Sequence, residues 1–332
     1  CVRLVGDDGQ LASVSAGGVL RDIAAETDAL TLSELVRFRS ESEAAATLAL
    51  RAGDPAALGF YIDQHRVHVG ADTTAADMAY TAWRTDMTAG RDALLLAPTN
   101  SVVDELNARA RRDRLADAGI TRIGREAILS DGLAASAGDI IKTRKNSRWL
   151  NIGPRDFVRN GYRYRIERIR ADGSLVVTHL GSTKRLTLPA DYVAENVTLG
   201  YASTVDLAQG LTAGFACHIV GAAAMTRQLL YVALTRGRAE NHIYLSTAEQ
   251  DPHRILSTKV SRPETAVEAL SAALARDGAQ ISATTADRQA HDPFTRLGPA
   301  ADMYYDAVIT FTEHRLGAAA LARLEEGVAA VR

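Results

Sequence analysis

Four segments carry residues able to handle phosphate. In the first, Leu4-Val5-Gly6-Asp7-Asp8-Gly9-Gln10-Leu11, an apolar run delivers an acidic turn and then a neutral amide. If the run is a strand, the amide reaches the carboxyl edge of a sheet, where open α/β sheets bind ligands. There it can donate to a phosphate oxygen and accept from a water; a surface turn after a buried strand has the same pattern. In the second, Leu32-Ser33-Glu34-Leu35-Val36-Arg37-Phe38-Arg39, Arg37 is able to meet a phosphate with a bidentate fork, or to stay a solvated arginine on a helix. The third runs from Gly200 to Thr212 (GYASTVDLAQGLT), where a strand ending at Ser203-Thr204 gives way to a helix start whose free N–H groups suit a nucleotide or backbone phosphate. A plain strand–turn–helix reads the same way. The fourth, LLYVALTRGR from Leu229 to Arg238, ends an apolar helix with two arginines around a glycine. A guanidinium fixed there can act on a transferring phosphoryl group, or can simply offset the helix dipole.

These segments need rigid elements, and the pattern supplies them. Ala93–Ala97 is a fully apolar strand, followed by a helix over 100–117 that ends at Gly119. Later, strand-like Val197–Ala202, a helical turn over 204–209, strand Ala216–Val220, helix Thr226–Thr235 and strand His242–Ser246 alternate at the pace of a parallel sheet covered on both faces. Upstream, Val2–Val5 reads as a strand and 18–25 as a helix. Ser40 to Glu43 and Thr74 to Asp77 read as capping boxes, the latter for a helix closed by Gly90. Asp54-Pro55 starts a short helix with proline in first position, and Arg66–Val69 reads as a strand. Residues 138–196 break the rhythm: β-rich runs 162–169 and 175–180 around the turn Ala171-Asp172-Gly173-Ser174 predict a small inserted antiparallel barrel. From about Pro263 the chain is Ala-rich and helical, with breaks at Asp277-Gly278 and Asp292-Pro293.

The inserted region is also strongly basic. Lys142, Arg144, Lys145, Arg148, Arg155, Arg159, Arg163, Arg165, Arg168 and Arg170 are interleaved with Trp149, Phe157, Tyr162 and Tyr164. Basic groups track phosphates and aromatic faces stack on bases; alternatively the arginines are solvated and the aromatics fill the barrel, the expected fate of Tyr162 and Tyr164. The rest of the composition is that of an ordinary globular protein: 332 residues, 47% hydrophobic, 23% charged, net charge −2. Any electrostatic attraction is therefore local. Two cysteines, Cys1 and Cys217, argue against a disulfide framework and fit a reducing cytoplasm, with no membrane association expected. His65 and His68 lack the spacing and companions of a metal site and are expected to be structural; no metal ligands are assigned.

In order and spacing the four segments resemble the late motifs of superfamily 1 helicases: GDDGQL motif III, LSELVRF motif IV, GYASTVDLAQGLT motif V and LLYVALTRGR motif VI. With LLLAPTNSVVDELNARAR, GDIIKTRKNSRWL and VRNGYRYRIERIRADGSLVV, the chain over roughly residues 1–290 resembles the RecD-like helicase part of MobF-type (TraI/TrwC-like) conjugative relaxases. The resemblance implies an α/β fold of the P-loop NTPase (RecA-like) type. Residues 1–30 would be a remnant of the first RecA-like domain, 31–130 and 197–255 the second motor domain, 131–196 the inserted β-barrel and 256–332 a helical tail. It implies ATP-driven translocation on DNA by the intact protein, with ATP and Mg2+ as cofactors. Single-stranded DNA, the first RecA-like domain and an N-terminal relaxase domain would be the partners. Gln10 would sense the γ-phosphate beside Gly6 and Asp7, Arg37 would contact it, and Arg236 would be the arginine finger near Gly210. Thr99, Asn100, Asn107, Thr204 and Gln209 would follow the DNA or couple it to the nucleotide. The basic stretch, Arg144 and Arg148 above all, would contact DNA. Two positions depart from the family pattern: Asp206 stands where histidine is frequent, and Ala12 where proline is.

No G-x-x-x-x-G-K-[ST] occurs, and the pair Asp104-Glu105 falls inside a helix rather than at a strand end. The expectation is therefore a fragment that begins inside a larger protein just before motif III, binds no nucleotide by itself and is inactive alone. Three other readings remain open: a DNA-binding module with vestigial ATPase motifs, a RecD-like repair helicase fragment, and a structural docking piece.

Overall fold

Alternate residues of Ala93–Ala97 serve two different cores, which is why that strand is apolar throughout. The computed structural model describes residues 5–7, 10, 19–27, 29–30, 37–70, 74–153, 156–221, 225–246, 265–278 and 282–316. They fall into two compact units: those within 31–278 together with residue 10, and those within 1–8, 12–30 and 279–332.

In chain order the elements are α1 (Val19–Glu26), α2 (Glu41–Ala52), α3 (Ala57–Asp63), β1 (Val67–Gly70), α4 (Ala75–Thr88), β2 (Ala93–Ala97) and α5 (Asn100–Asp117). The middle of the chain holds β3 (Glu126–Ile128), β4 (Ala134–Ser136), β5 (Ile140–Thr143), β6 (Ser147–Gly153), β7 (Asp156–Val158), β8 (Arg163–Ile169), β9 (Leu175–His179) and β10 (Arg185–Leu188). Then follow α6 (Ala190–Asn196), β11 (Val197–Leu199), β12 (Ala202–Thr204), β13 (Ala216–Val220), α7 (Arg227–Ala233), β14 (Glu240–Ser246), α8 (Ala266–Ala275), α9 (Ala283–His291) and α10 (Pro293–Leu316).

The larger unit is built on a parallel sheet of order β1-β14-β13-β2-β12. Leu95 faces a core with Ala79, Trp83 and Leu106 of α4 and α5; Leu94 and Leu96 face Leu50, Leu58, Leu230 and Leu270 of α2, α3, α7 and α8. This is the covered α/β sheet that the alternation predicts. Local signals hold with small differences. Ser40 caps α2 by accepting from the Glu43 N–H, but the Glu43 carboxylate turns inward to the Asn241 amide at 2.8 Å, so only half of the capping box forms. Pro55 lies in the turn before α3 rather than at its first position. The expected strand 2–5 falls almost wholly outside the described residues.

The inserted region forms an antiparallel sheet of order β10-β9-β8-β5-β11, with two-stranded ribbons β3-β4 and β6-β7. Among the described residues no pairing joins β10 to β11, so an open sheet stands where a closed barrel is expected. The edge strand β11 has only three residues and leaves at once for the parallel sheet as β12. The sequence reads 197–202 as one strand, but Gly200 divides it between two sheets. A Cβ there would lie 2.6 Å from the Ile141 carbonyl carbon, so only glycine lets the chain cross β5 this closely. Tyr164 is buried in this layer and Tyr162 packs against it, as expected.

The expected tail divides. Leu270, Ala273 and Leu274 of α8 belong to the core of the larger unit. In the smaller unit, Asp22 of α1 accepts from the Thr285 hydroxyl at 3.0 Å and Arg288 pairs with Glu26. Among the described residues no helix is long and apolar enough to cross a membrane.

Candidate functional site

The parallel register places Thr204 of β12 beside Ala97 of β2, so both strands end at one carboxyl edge. Pro98 follows, then Thr99, whose hydroxyl accepts from the Val102 N–H to cap α5. Thr99 and Asn100 are exposed there. Thr204 is buried and caps the next turn through its hydroxyl, which accepts from the Leu207 N–H at 3.4 Å. Residues 205–210 form successive turns, the expected helical turn among them with the Ala208 N–H donating to the Thr204 carbonyl at 3.1 Å, and they close at Gly210 with φ of 85° without extending into a helix. Gln209 is exposed on them. Thr99, Asn100 and Thr204 are thus brought to one sheet edge, the edge at which ligands of such sheets bind.

Asn107 is placed differently from expectation. It is 1% exposed. Its amide oxygen accepts from the Ala202 N–H at 2.8 Å and its NH2 faces the Leu199 carbonyl at 3.5 Å. It positions the segment from beneath and offers nothing to a strand of DNA on the surface. A polar residue on the apolar stripe of a helix was the available signal, since Val103, Leu106 and Ala110 share its burial.

The arginines gather just before β14. Arg37 donates to the Thr235 carbonyl at 2.7 Å, and the Arg39 N–H donates to the Arg238 carbonyl at 2.9 Å. Arg236 is also next to Thr235, but 1% exposed. Its guanidinium donates to the Val232 carbonyl at 2.8 Å, to the Thr235 hydroxyl at 2.6 Å, and at 3.4 Å to the carbonyls of Ala208 and Leu211. The arginine expected to project from a helix end is folded in against the 205–211 turns, because the last carbonyls of α7 and of those turns need donors. Gly237 permits the return into β14: a Cβ there would lie 2.1 Å from the Glu240 carbonyl oxygen. Asn241 brackets it, accepting from its N–H and donating to its carbonyl. Gly6 and Asp7 are described and Gln10 is half-buried; Cys1 to Leu4, Asp8, Gly9 and Leu11 lie outside the described residues.

The basic stretch separates into two classes. Arg144, Lys145, Arg148 and Arg159 are exposed. Lys142 and Arg163 are not: Lys142 donates to the Ser203 hydroxyl at 3.0 Å, and Arg163 joins Asp92 at 3.1 Å and the Ala93 carbonyl at 3.3 Å. Burial, helped by the nearby Arg144 and Arg163, pushes the Lys142 ammonium down to about 7. Two buried groups went unread in the sequence: Asp139, which anchors Arg111, Arg114 and Tyr201, and Asn241. For Asp139 the signal was an acid directly before the apolar pair Ile140-Ile141.

Asp104 and Glu105 are exposed on α5. His68 faces His242 across the sheet, Nε2 to Nδ1, at 3.0 Å. Cys217 is a buried free thiol pushed up by burial, away from reactivity.

A family model described as an AAA domain matches residues 1–72. The chain is 28% identical over 249 residues to a probable conjugal transfer protein TraA of Sinorhizobium fredii, covering 73% of this chain and 21% of that protein. It is 29% identical over 249 residues to the conjugal transfer protein TraA of Agrobacterium fabrum, covering 73% and 22%. Among solved structures, the Bacteroides Pif1 helicase bound to ssDNA is similar with a TM-score of 0.43 at 14% identity, over 72% of this chain and 60% of that one. The chain spans about a fifth of the length of the TraA proteins it matches. The resemblance carried by the four segments is thus met by curated relatives: this chain is similar to one stretch of the TraA conjugal transfer proteins.

Proposed function

We propose that this chain is the second, RecA-like motor domain of a superfamily 1 DNA helicase within a conjugative relaxase. In the whole protein its role would be to grip single-stranded DNA while a neighbouring domain carries the nucleotide. The single observation that supports this best is the shared carboxyl edge of β2 and β12, where Thr99, Asn100 and the Thr204 turn converge. The 205–211 turns then run from that edge to the carbonyls that hold Arg236, so one short segment touches both the proposed DNA edge and the proposed phosphate-facing arginine. If the guanidinium turns toward a phosphate, the two 3.4 Å contacts to Ala208 and Leu211 are the ones it gives up. Movement there would be felt at the Thr204 carbonyl, which accepts from the Ala208 N–H at 3.1 Å.

The residues fit a nucleotide only in part. Arg37 and Arg236 have the charge and fork geometry for a γ-phosphate. Among the described residues no cluster of acids, histidines and cysteines is placed to hold a metal ion, and the sequence has no phosphate cradle. On this reading the neighbouring domain would hold ATP and magnesium, which supply the phosphoryl chemistry, while Arg37 and Arg236 would face the phosphate from this chain.

Two measurements test the proposal. The isolated chain should bind oligo(dT) at low salt and release no phosphate from ATP; DNA-stimulated turnover would refute its dependence on a neighbour. The paired charge reversals Arg144→Glu and Arg148→Glu should weaken binding and lower the slope of log K against log[salt] by about 0.7 per lost phosphate contact. An unchanged slope would remove these two arginines from the interface.

A further inference from the structure

Trp149 is 93% exposed, although tryptophan is among the most strongly buried residues on average. A lone exposed apolar side chain needs no explanation; the setting of this one does. In β6 the alternation Leu150 and Ile152 against Trp149 and Asn151 turns the aliphatic pair to the core and the other two outward. Trp149 lies in the irregular stretch of the ribbon between the pairs Ser147–Val158 and Asn151–Phe157, and its indole is offered to solvent where a polar residue would be the usual occupant.

The same ribbon carries cations. Arg148 is exposed in β6, and Lys145 is exposed two residues before the strand begins. Arg148 and Arg159 lie 5.5 Å and 5.0 Å from the centre of the Phe157 ring, so that neighbouring aromatic already has guanidinium partners. At the far end of β6, the Lys184 ammonium lies over Gly153, 2.7 Å from where a Cβ would stand. A flat apolar face on a ribbon that also carries ammonium and guanidinium groups fits a polyanion with flat rings, and fits an apolar protein surface poorly.

Resting on the reading that the chain grips single-stranded DNA, we infer that the β6–β7 ribbon is a base-stacking platform. One base stacks on Trp149 while Arg148 and Lys184 take the flanking phosphates. This site is separate from the carboxyl edge of the parallel sheet.

The two tryptophans make it testable in the whole chain. Trp83 is buried in the core and Trp149 is exposed, so the red-shifted part of the emission belongs to Trp149. Titration with oligo(dT) should quench that emission in the wild type and not in Trp149→Phe. Trp149→Ala should bind roughly tenfold or more weakly with an unchanged salt slope, because a stacked base contributes affinity without charge. Lys184→Gln should do the reverse, lowering the slope by about 0.7 with a small loss of affinity. Unchanged thermal unfolding of Trp149→Ala establishes that the loss is not misfolding. Wild-type binding without quenching, or full affinity in Trp149→Ala, overturns the platform alone and assigns the ribbon to another kind of partner. Failure of the wild type to bind oligo(dT) at all overturns the DNA reading and this site together.

Discussion

Asp139→Ala should lower the unfolding free energy by about 3–5 kcal/mol, the cost of removing one partner from a buried ion pair. The Asp139 side chain is fully buried. Its Oδ1 accepts from Arg114 Nε at 2.8 Å and from the Tyr201 hydroxyl at 2.6 Å. Its Oδ2 accepts from Arg111 Nε at 3.1 Å and from the Ser136 N–H at 2.7 Å. One carboxylate therefore joins α5, the turn before β5 and the residue that leads into β12. Alanine leaves two guanidiniums, a buried phenol and an amide facing a void. The substitution Asp139→Asn keeps the volume but points an NH2 at cations, so it should recover little of the loss. Urea unfolding with an unchanged m-value measures the effect. A loss below about 1 kcal/mol would show that water replaces the carboxylate. Because Tyr201 precedes Ala202–Thr204, the same variant should weaken DNA binding even where it remains folded.

That hub lies beyond what the sequence makes legible, whereas the elements around it are local. The parallel sheet, its alternating helices and their caps follow from local rules: Ala93–Ala97 and Asn100–Asp117 stand at the boundaries their patterns predict. The division of 197–204 between two sheets does not, because it depends on Ile141 lying against Gly200, a contact between residues far apart in the chain. The same holds for the open antiparallel sheet, where alternation reports strands but not closure. Among the site residues, residue type announced the phosphate-handling candidates, yet burial decided their roles. Asn107, Lys142 and Arg236 look like surface contacts by type and lie inside, each bonded to backbone or hydroxyl groups that only the tertiary fold brings near. Trp149 is the opposite case: the sequence leaves it open between base stacking and the barrel core, and the fold puts it in solvent.

Lys142→Met should change the pH dependence of stability strongly between about pH 7 and pH 10. The Lys142 ammonium is held down to about 7, first by burial and then by Arg144 and Arg163, with Asp131 and Asp104 acting in the opposite direction. In the unfolded chain a lysine titrates near 10.4. Between those values the unfolded state holds a proton that the folded state lacks, so stability rises with pH across that window. Below about 7 both states are charged and the full cost of burying the charge is present. The span corresponds to something on the order of 4 kcal/mol. Methionine has similar length and no charge. The variant should therefore be more stable than wild type at pH 6, less about 1 kcal/mol for the lost bond to Ser203, and the gap should close toward about pH 10. Taking the difference between the two proteins cancels the buried tyrosines, which titrate in both. Parallel stability profiles would sink the assignment. The amine reaches Ser203, one residue from the Thr204 turn at the proposed DNA edge. If Lys142→Met stabilises the fold while weakening oligo(dT) binding, the buried charge is retained for function at the expense of stability. If binding is unchanged, Lys142 only joins the two sheets.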